Sequence, residues 1–138
     1  MNRLFCILFF CNLVTYGQTK ECILLKELMD SEKISNIFYV KNDSVTIIDR
    51  PKVLFECQNY ISKPIISYEQ AYMEITPDSR TTIMNNKNII ILFKSEHHRG
   101  NINLFFWQPY SGANLKVTAK ISSKNKKIRK ISYQEGVF

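Results

Sequence analysis

The apolar positions of this chain change period along its length. From Thr19 to Lys33 they fall at helical spacing: Cys22, Leu25, Leu28 and Met29 share one stripe, widened by Ile23 and Leu24. Glu21, Lys26, Glu27, Asp30 and Glu32 cover the outer face, and Thr19 is placed to cap the first turn. The pattern predicts one amphipathic helix that gives way near Ser35-Asn36. Strand-type patterning follows. IFYVK (37–41) and SVTIID (44–49) flank Asn42-Asp43, which predicts a hairpin. VLFECQ (53–58) reads as another strand after Pro51. Residues 59–82 mix short strand signals with a possible helical turn in SYEQAYMEI, and Pro77-Asp78 marks a loop.

The last third is the most regular. NIIILFK (88–94) is apolar without alternation, as expected of a central strand covered on both faces. Something must then cover its second face, either residues 59–82 or a second copy of the chain. NINLFFW (101–107) follows, then NLKVTAKIS (114–122), where Leu115, Val117, Ala119 and Ile121 alternate with Lys116, Thr118, Lys120 and Ser122. IRKISYQ (128–134) returns after a polar turn. One helix followed by these strands predicts an α+β fold, with an N-terminal helix packed on a curved antiparallel β-meander sheet. That element order resembles the cystatin-like and NTF2-like layouts.

Residues 1–17 stand apart. Arg3 precedes an apolar run, LFCILFFCNLV (4–14), and Thr15-Tyr16-Gly17 supplies small residues at a cleavage site. This is the three-part layout of a signal peptide, too short for an ordinary membrane span. A leader ending in Tyr16-Gly17-Gln18 resembles those of exported proteins of Bacteroidetes-type bacteria. The expectation is a signal peptide at 1–17 and one α+β domain at 18–138, periplasmic or extracellular, with no membrane span after cleavage. Cys6 and Cys11 leave with the leader. Cys22 and Cys57 remain, and oxidising conditions would allow them to form a disulfide or to stay as two buried thiols.

Charge is unevenly placed. Residues 18–98 carry ten Lys or Arg against eleven Asp or Glu, whereas residues 99–138 carry eight against one. Six of the eleven residues in KISSKNKKIRK are basic: Lys120, Lys124, Lys126, Lys127, Arg129 and Lys130. With Lys116 they would form a stripe for an acidic protein or other anionic macromolecule. Aromatics do not interleave with these lysines, so no nucleic acid is expected. If Leu104 and Phe106 face the helix, Phe105 and Trp107 face away and, with Tyr110 near, offer an interface anchor, a dimer surface or a small-ligand platform. Gln108 to Gly112 fits Q-x-x-x-G and so resembles the frame of the cystatin inhibitory loop, with Tyr110 where valine is expected; a frame this short does not by itself assign an inhibitor.

SEHHRGN (95–101) holds both histidines. Glu96, His97 and His98 are the weak candidates for metal ligands. Adjacent side chains on an extended chain point to opposite faces, however, and Gly100-Asn101 supplies turn chemistry, so the segment is expected to be a hairpin tip. There is no G-x-S-x-G elbow, phosphate-binding loop or dinucleotide fingerprint. No cofactor and no enzyme activity are expected. The leading expectation is an exported binding protein, of immunity or inhibitor type, that meets an acidic partner through the basic C-terminal hairpin. One alternative is a small-ligand carrier with a pocket lined by Phe105, Phe106, Trp107 and Tyr110. The other is a small metal-dependent hydrolase using His97 and His98.

Overall fold

In the computed structural model, residues 19–41, 44–61, 64–73 and 83–136 are described. The leader (1–17) and Asn42-Asp43 lie outside them. The expected helix is α1 (Lys20–Asp30). Thr19 caps it, its Oγ1 accepting from the Cys22 N–H at 3.3 Å. Glu21 in the first turn suits the positive end of the helix dipole. The helix ends at Ser31, whose N–H donates to the Glu27 carbonyl. Glu32 then takes a left-handed conformation and a short α2 (Lys33–Ile37) follows.

Among the described residues six strands form a mixed sheet: β1 (Thr46–Asp49), β2 (Ile65–Ser67), β3 (Ile89–His98), β4 (Asn101–Trp107), β5 (Asn114–Ile121) and β6 (Ile128–Glu135). Their order is β2-β1-β3-β4-β5-β6. Strands β3 to β6 are the antiparallel meander expected from the sequence. β1 departs from it by pairing parallel to both β3 and β2. The hairpin expected across Asn42-Asp43 is not formed. Residues 33–37 are helical, and Phe38 and Val40 sink into the main core instead of pairing with β1. β1 is apolar towards both sides, Ile47 joining the main core and Ile48 a second one, so it belongs inside the sheet.

Residues 53–58 are not a strand either. Phe55–Asn59 is a 3-10 turn. Asp49 holds the Leu54 and Val53 amides at 2.7 and 3.2 Å, and Cys57 is tied to α1 by the Cys22–Cys57 disulfide, with Cα atoms 5.0 Å apart. These two restraints override the strand propensity of Val53-Leu54-Phe55. α3 (Tyr68–Met73) follows β2 directly.

The main core lies between α1 and the sheet. Leu24, Leu25 and Leu28 meet Leu92, Leu104, Phe106, Leu115 and Val117 there. Each such side chain contributes about 1.5–3 kcal/mol by leaving water. On the second face Ala71 of α3 and Ile83 pack on Ile48 and Ile91, with Phe93 and Trp107 beside them. Part of the 59–82 segment therefore covers the central strand, as one of the two expectations had it. Among the described residues the cover stops short of the far half of the meander, where Lys120, Lys130 and Ser132 stand exposed.

Candidate functional site

The turn joining β5 to β6 is built by its own backbone. The Ser122 N–H donates to the Lys127 carbonyl and the Lys126 N–H to the Ser122 carbonyl, both at 2.9 Å. The Asn125 side chain accepts from the Lys127 N–H at 3.2 Å. The β4–β5 turn uses the same frame from Gln108 to Ala113. The left-handed position is Gly112 (φ 74°) in that turn and Lys126 (φ 57°) in this one. A lysine thus occupies a backbone geometry that glycine adopts without cost.

Beyond the turn runs β6, an edge of the sheet. It faces α1 across an open groove of about 540 Å³. Ile23 of α1 and Ile128 and Ile131 of β6 supply its apolar lining. Lys26, Lys126, Lys127, Arg129 and Lys130 surround it, with Glu27 and Asp30 as the acids. Lys26 and Asp30 pair at 2.7 Å, which leaves, among the described residues, four cations of the hairpin against one carboxylate. Deeper along β6, Tyr133 packs on the main core with the Lys33 ammonium 5.2 Å from its ring centroid. Burial, and after it the Glu27 charge, push the Tyr133 hydroxyl above its ordinary range.

The opposite face carries the rest of the stripe. Lys120 stands directly across from Lys130. Like charges so placed repel one another. Lys116 lies four residues back on the same face, its ammonium 5.5 Å from the Phe105 ring centroid, and Lys94 approaches that ring at 5.4 Å. Lys94 also pairs with Glu96. Lys124 is exposed at the turn. The structure therefore joins Lys126, Lys127, Arg129 and Lys130 around the groove and links them through Lys130 to Lys120 and Lys116 on the second face.

The aromatic candidates separate. Phe105 and Trp107 do face away from α1, but Phe105 is only 8% exposed, under the two lysines and against Phe93 at 6.0 Å. Trp107 is half-buried against the second core. Tyr110 stands 58% exposed in the β4–β5 turn. Phe106 points the other way, into the main core. Phe105, Phe106, Trp107 and Tyr110 thus do not line one cavity. Gln108 is spent inside the protein: its amide donates to the Phe38 and Lys87 carbonyls at 3.3 and 2.6 Å, and its oxygen accepts from the Ser111 hydroxyl.

The histidines separate too. The β3–β4 turn is Arg99-Gly100, both at positive φ, as a two-residue hairpin requires. His97 pairs with Ile102, which is in the main core, and so faces α1, whereas His98 pairs with Asn101 on the other face. His97 donates from Nε2 to Glu21 Oε1 at 2.6 Å. Among the described residues no group of three or more His, Cys, Asp or Glu could hold a metal ion. Asp49, lining a smaller cavity of about 120 Å³ with Lys52, Gln58 and Ser67, has its carboxyl raised by burial, and its oxygens are held by the Leu54 and Val53 amides. That is the role of a turn clamp.

Sequence reasoning missed Ile23 and Lys26 as groove residues and Lys94 as a partner of Phe105. Lys94 closes the 88–94 apolar run and carried a usable signal. Ile23 and Lys26 carried none, because only the tertiary placement of α1 against β6 brings them there. No protein-family model, curated protein or solved structure matches the chain.

Proposed function

We propose that this chain is an exported, non-enzymatic binding protein, of immunity or inhibitor type, that recognises an acidic macromolecular partner through the β5–β6 hairpin. The observation that carries the reading is the concentration of Lys126, Lys127, Arg129 and Lys130 around an open groove with apolar lining. A one-sign surface steers an oppositely charged partner to itself, and the apolar lining then supplies short-range affinity. The Cys22–Cys57 disulfide fits an oxidising compartment. Among the described residues no helix is long and apolar enough to cross a membrane. Phe105 lies under its lysines, not stacked among them in the open, which favours an acidic protein over a nucleic acid.

The test separates this site from net charge alone. Association with poly-L-glutamate is timed at low and high salt for three proteins. They are the wild type, the Lys126→Glu/Lys127→Glu/Lys130→Glu variant, and a Lys20→Glu/Lys41→Glu/Lys87→Glu variant of identical net charge. Hairpin reversal slows association at low salt at least about tenfold, and the control reversal much less. Equal slowing in both variants removes the reading.

A further inference from the structure

The sheet ends on β6, and the groove lies beside that edge. An edge strand turns alternate backbone N–H and C=O groups away from its neighbour, ready to pair with another chain. Edges are commonly blunted by short length, proline or a bulge. β6 runs for eight residues without proline, and its one irregularity is at its start, where Arg129 is the extra residue between Ile128 and Lys130, the partners of Ile121 and Lys120. From Lys130 to Glu135 the pairing with β5 is regular. Charge is the remaining protection, and charge is selective by sign. Arg129 and Lys130 on the strand, with Lys126 and Lys127 just before it, oppose a basic chain. They equally oppose the β6 of a second copy, since that would bring two such sets together.

Resting on the acidic-partner reading above, we propose that an extended acidic segment of the partner adds to the sheet as a seventh strand along β6. Side chains of such a segment alternate between the two faces. Those on the α1 side descend towards Ile23, Ile128 and Ile131, so they are apolar. Those on the other side meet Lys130 and, one strand further in, Lys120, so they are acidic. Their carboxylates relieve the repulsion between these two directly opposed lysines. Lys126, Lys127 and Arg129 receive a further acid where the segment passes the turn. The recognised sequence thus alternates apolar and acidic residues over about the length of β6.

A capped seven-residue peptide alternating Glu and Val is the probe, titrated calorimetrically into the exported protein. Two further peptides of the same sequence carry N-methyl groups on either the odd or the even amides. Methylation keeps every charge but blocks strand pairing along one edge. The parent peptide binds, one methylated register weakens binding by about tenfold or more and the other less, and binding slows hydrogen exchange at alternate β6 amides. Equal binding of all three peptides, or binding without protection of β6, overturns strand addition and leaves the acidic-partner reading standing. No binding of the parent peptide, with poly-L-glutamate still sensitive to hairpin reversal, has the same meaning. If poly-L-glutamate is also indifferent to that reversal, both readings fall.

Discussion

His97 and Glu21, 76 residues apart in the chain, meet at 2.6 Å between Nε2 and Oε1. The contact pins the β3–β4 hairpin to the first turn of α1. It also uses one of the two histidines as a tie between elements and leaves His98 on the opposite face. Glu21 is 13% exposed and His97 58%, so the pair is only partly shielded from water. His97→Ala is expected to lower unfolding free energy by roughly 0.5–1 kcal/mol and His98→Ala by less. A double-mutant cycle with Glu21→Gln, read by urea unfolding, checks whether the coupling belongs to His97 alone.

The Cys22–Cys57 disulfide spans 35 residues and fastens α1 to the 3-10 turn. A loop of that size, once opened, releases unfolded-chain entropy worth roughly 3–4 kcal/mol. The Cys22→Ala/Cys57→Ala protein should unfold at a correspondingly lower urea concentration. Reductant should shift the wild type towards it and leave the variant unmoved.

Asp49 makes stability depend on pH. Burial raises its carboxyl above the ordinary value, outweighing the amides that hold its charged form. The folded state therefore keeps this proton more tightly than the unfolded chain. The resulting stability is fully present below the unfolded-state pKa and is lost as pH rises through the higher folded-state one. Relative to Asp49→Asn, the wild type should lose stability as pH rises from the ordinary aspartate range, about 3.9, through the higher folded-state value. Unfolding curves of the two proteins that run parallel over this range would contradict the assignment.

Lys126 and Gly112 occupy equivalent places in two turns of the same hydrogen-bonded frame, and only Lys126 bears a side chain there. Lys126→Gly should relieve the left-handed strain and stabilise the protein by about 0.5–1 kcal/mol. It should at the same time slow association with poly-L-glutamate. Gain in one property and loss in the other, measured on the same preparation, would mark the position as kept for its charge.

The legible parts of the fold were those with long, regular periods. α1 showed its stripe in Cys22, Leu25, Leu28 and Met29, and β5 alternated from Leu115 to Ile121. The alternation also placed Lys116 and Lys120 on one face and brought Lys130 beside them. β1 is the strand expected within 44–49, but its pairing was not legible because its partners lie far along the chain. Ile47 and Ile48 look the same in a local hairpin and in a parallel pairing with β3. Residues 53–58 look like a strand until Asp49 and Cys57 fix the turn. The groove was half legible. Its basic wall is contiguous in sequence, whereas Ile23 and Lys26 reach it only through the packing of α1.

The most direct measurement places a photo-crosslinking residue at position 127 in the producing cell and, separately, at position 39. Tyr39 is 91% exposed, and its neighbour Phe38 is held by Gln108 at the other end of β4 from the basic turn. Crosslinking at 127 should yield one acidic adduct that disappears on Lys126→Glu/Lys130→Glu reversal, with no such adduct at 39. No adduct at 127, a basic one, or equal adducts at both positions would contradict recognition of an acidic partner through this hairpin.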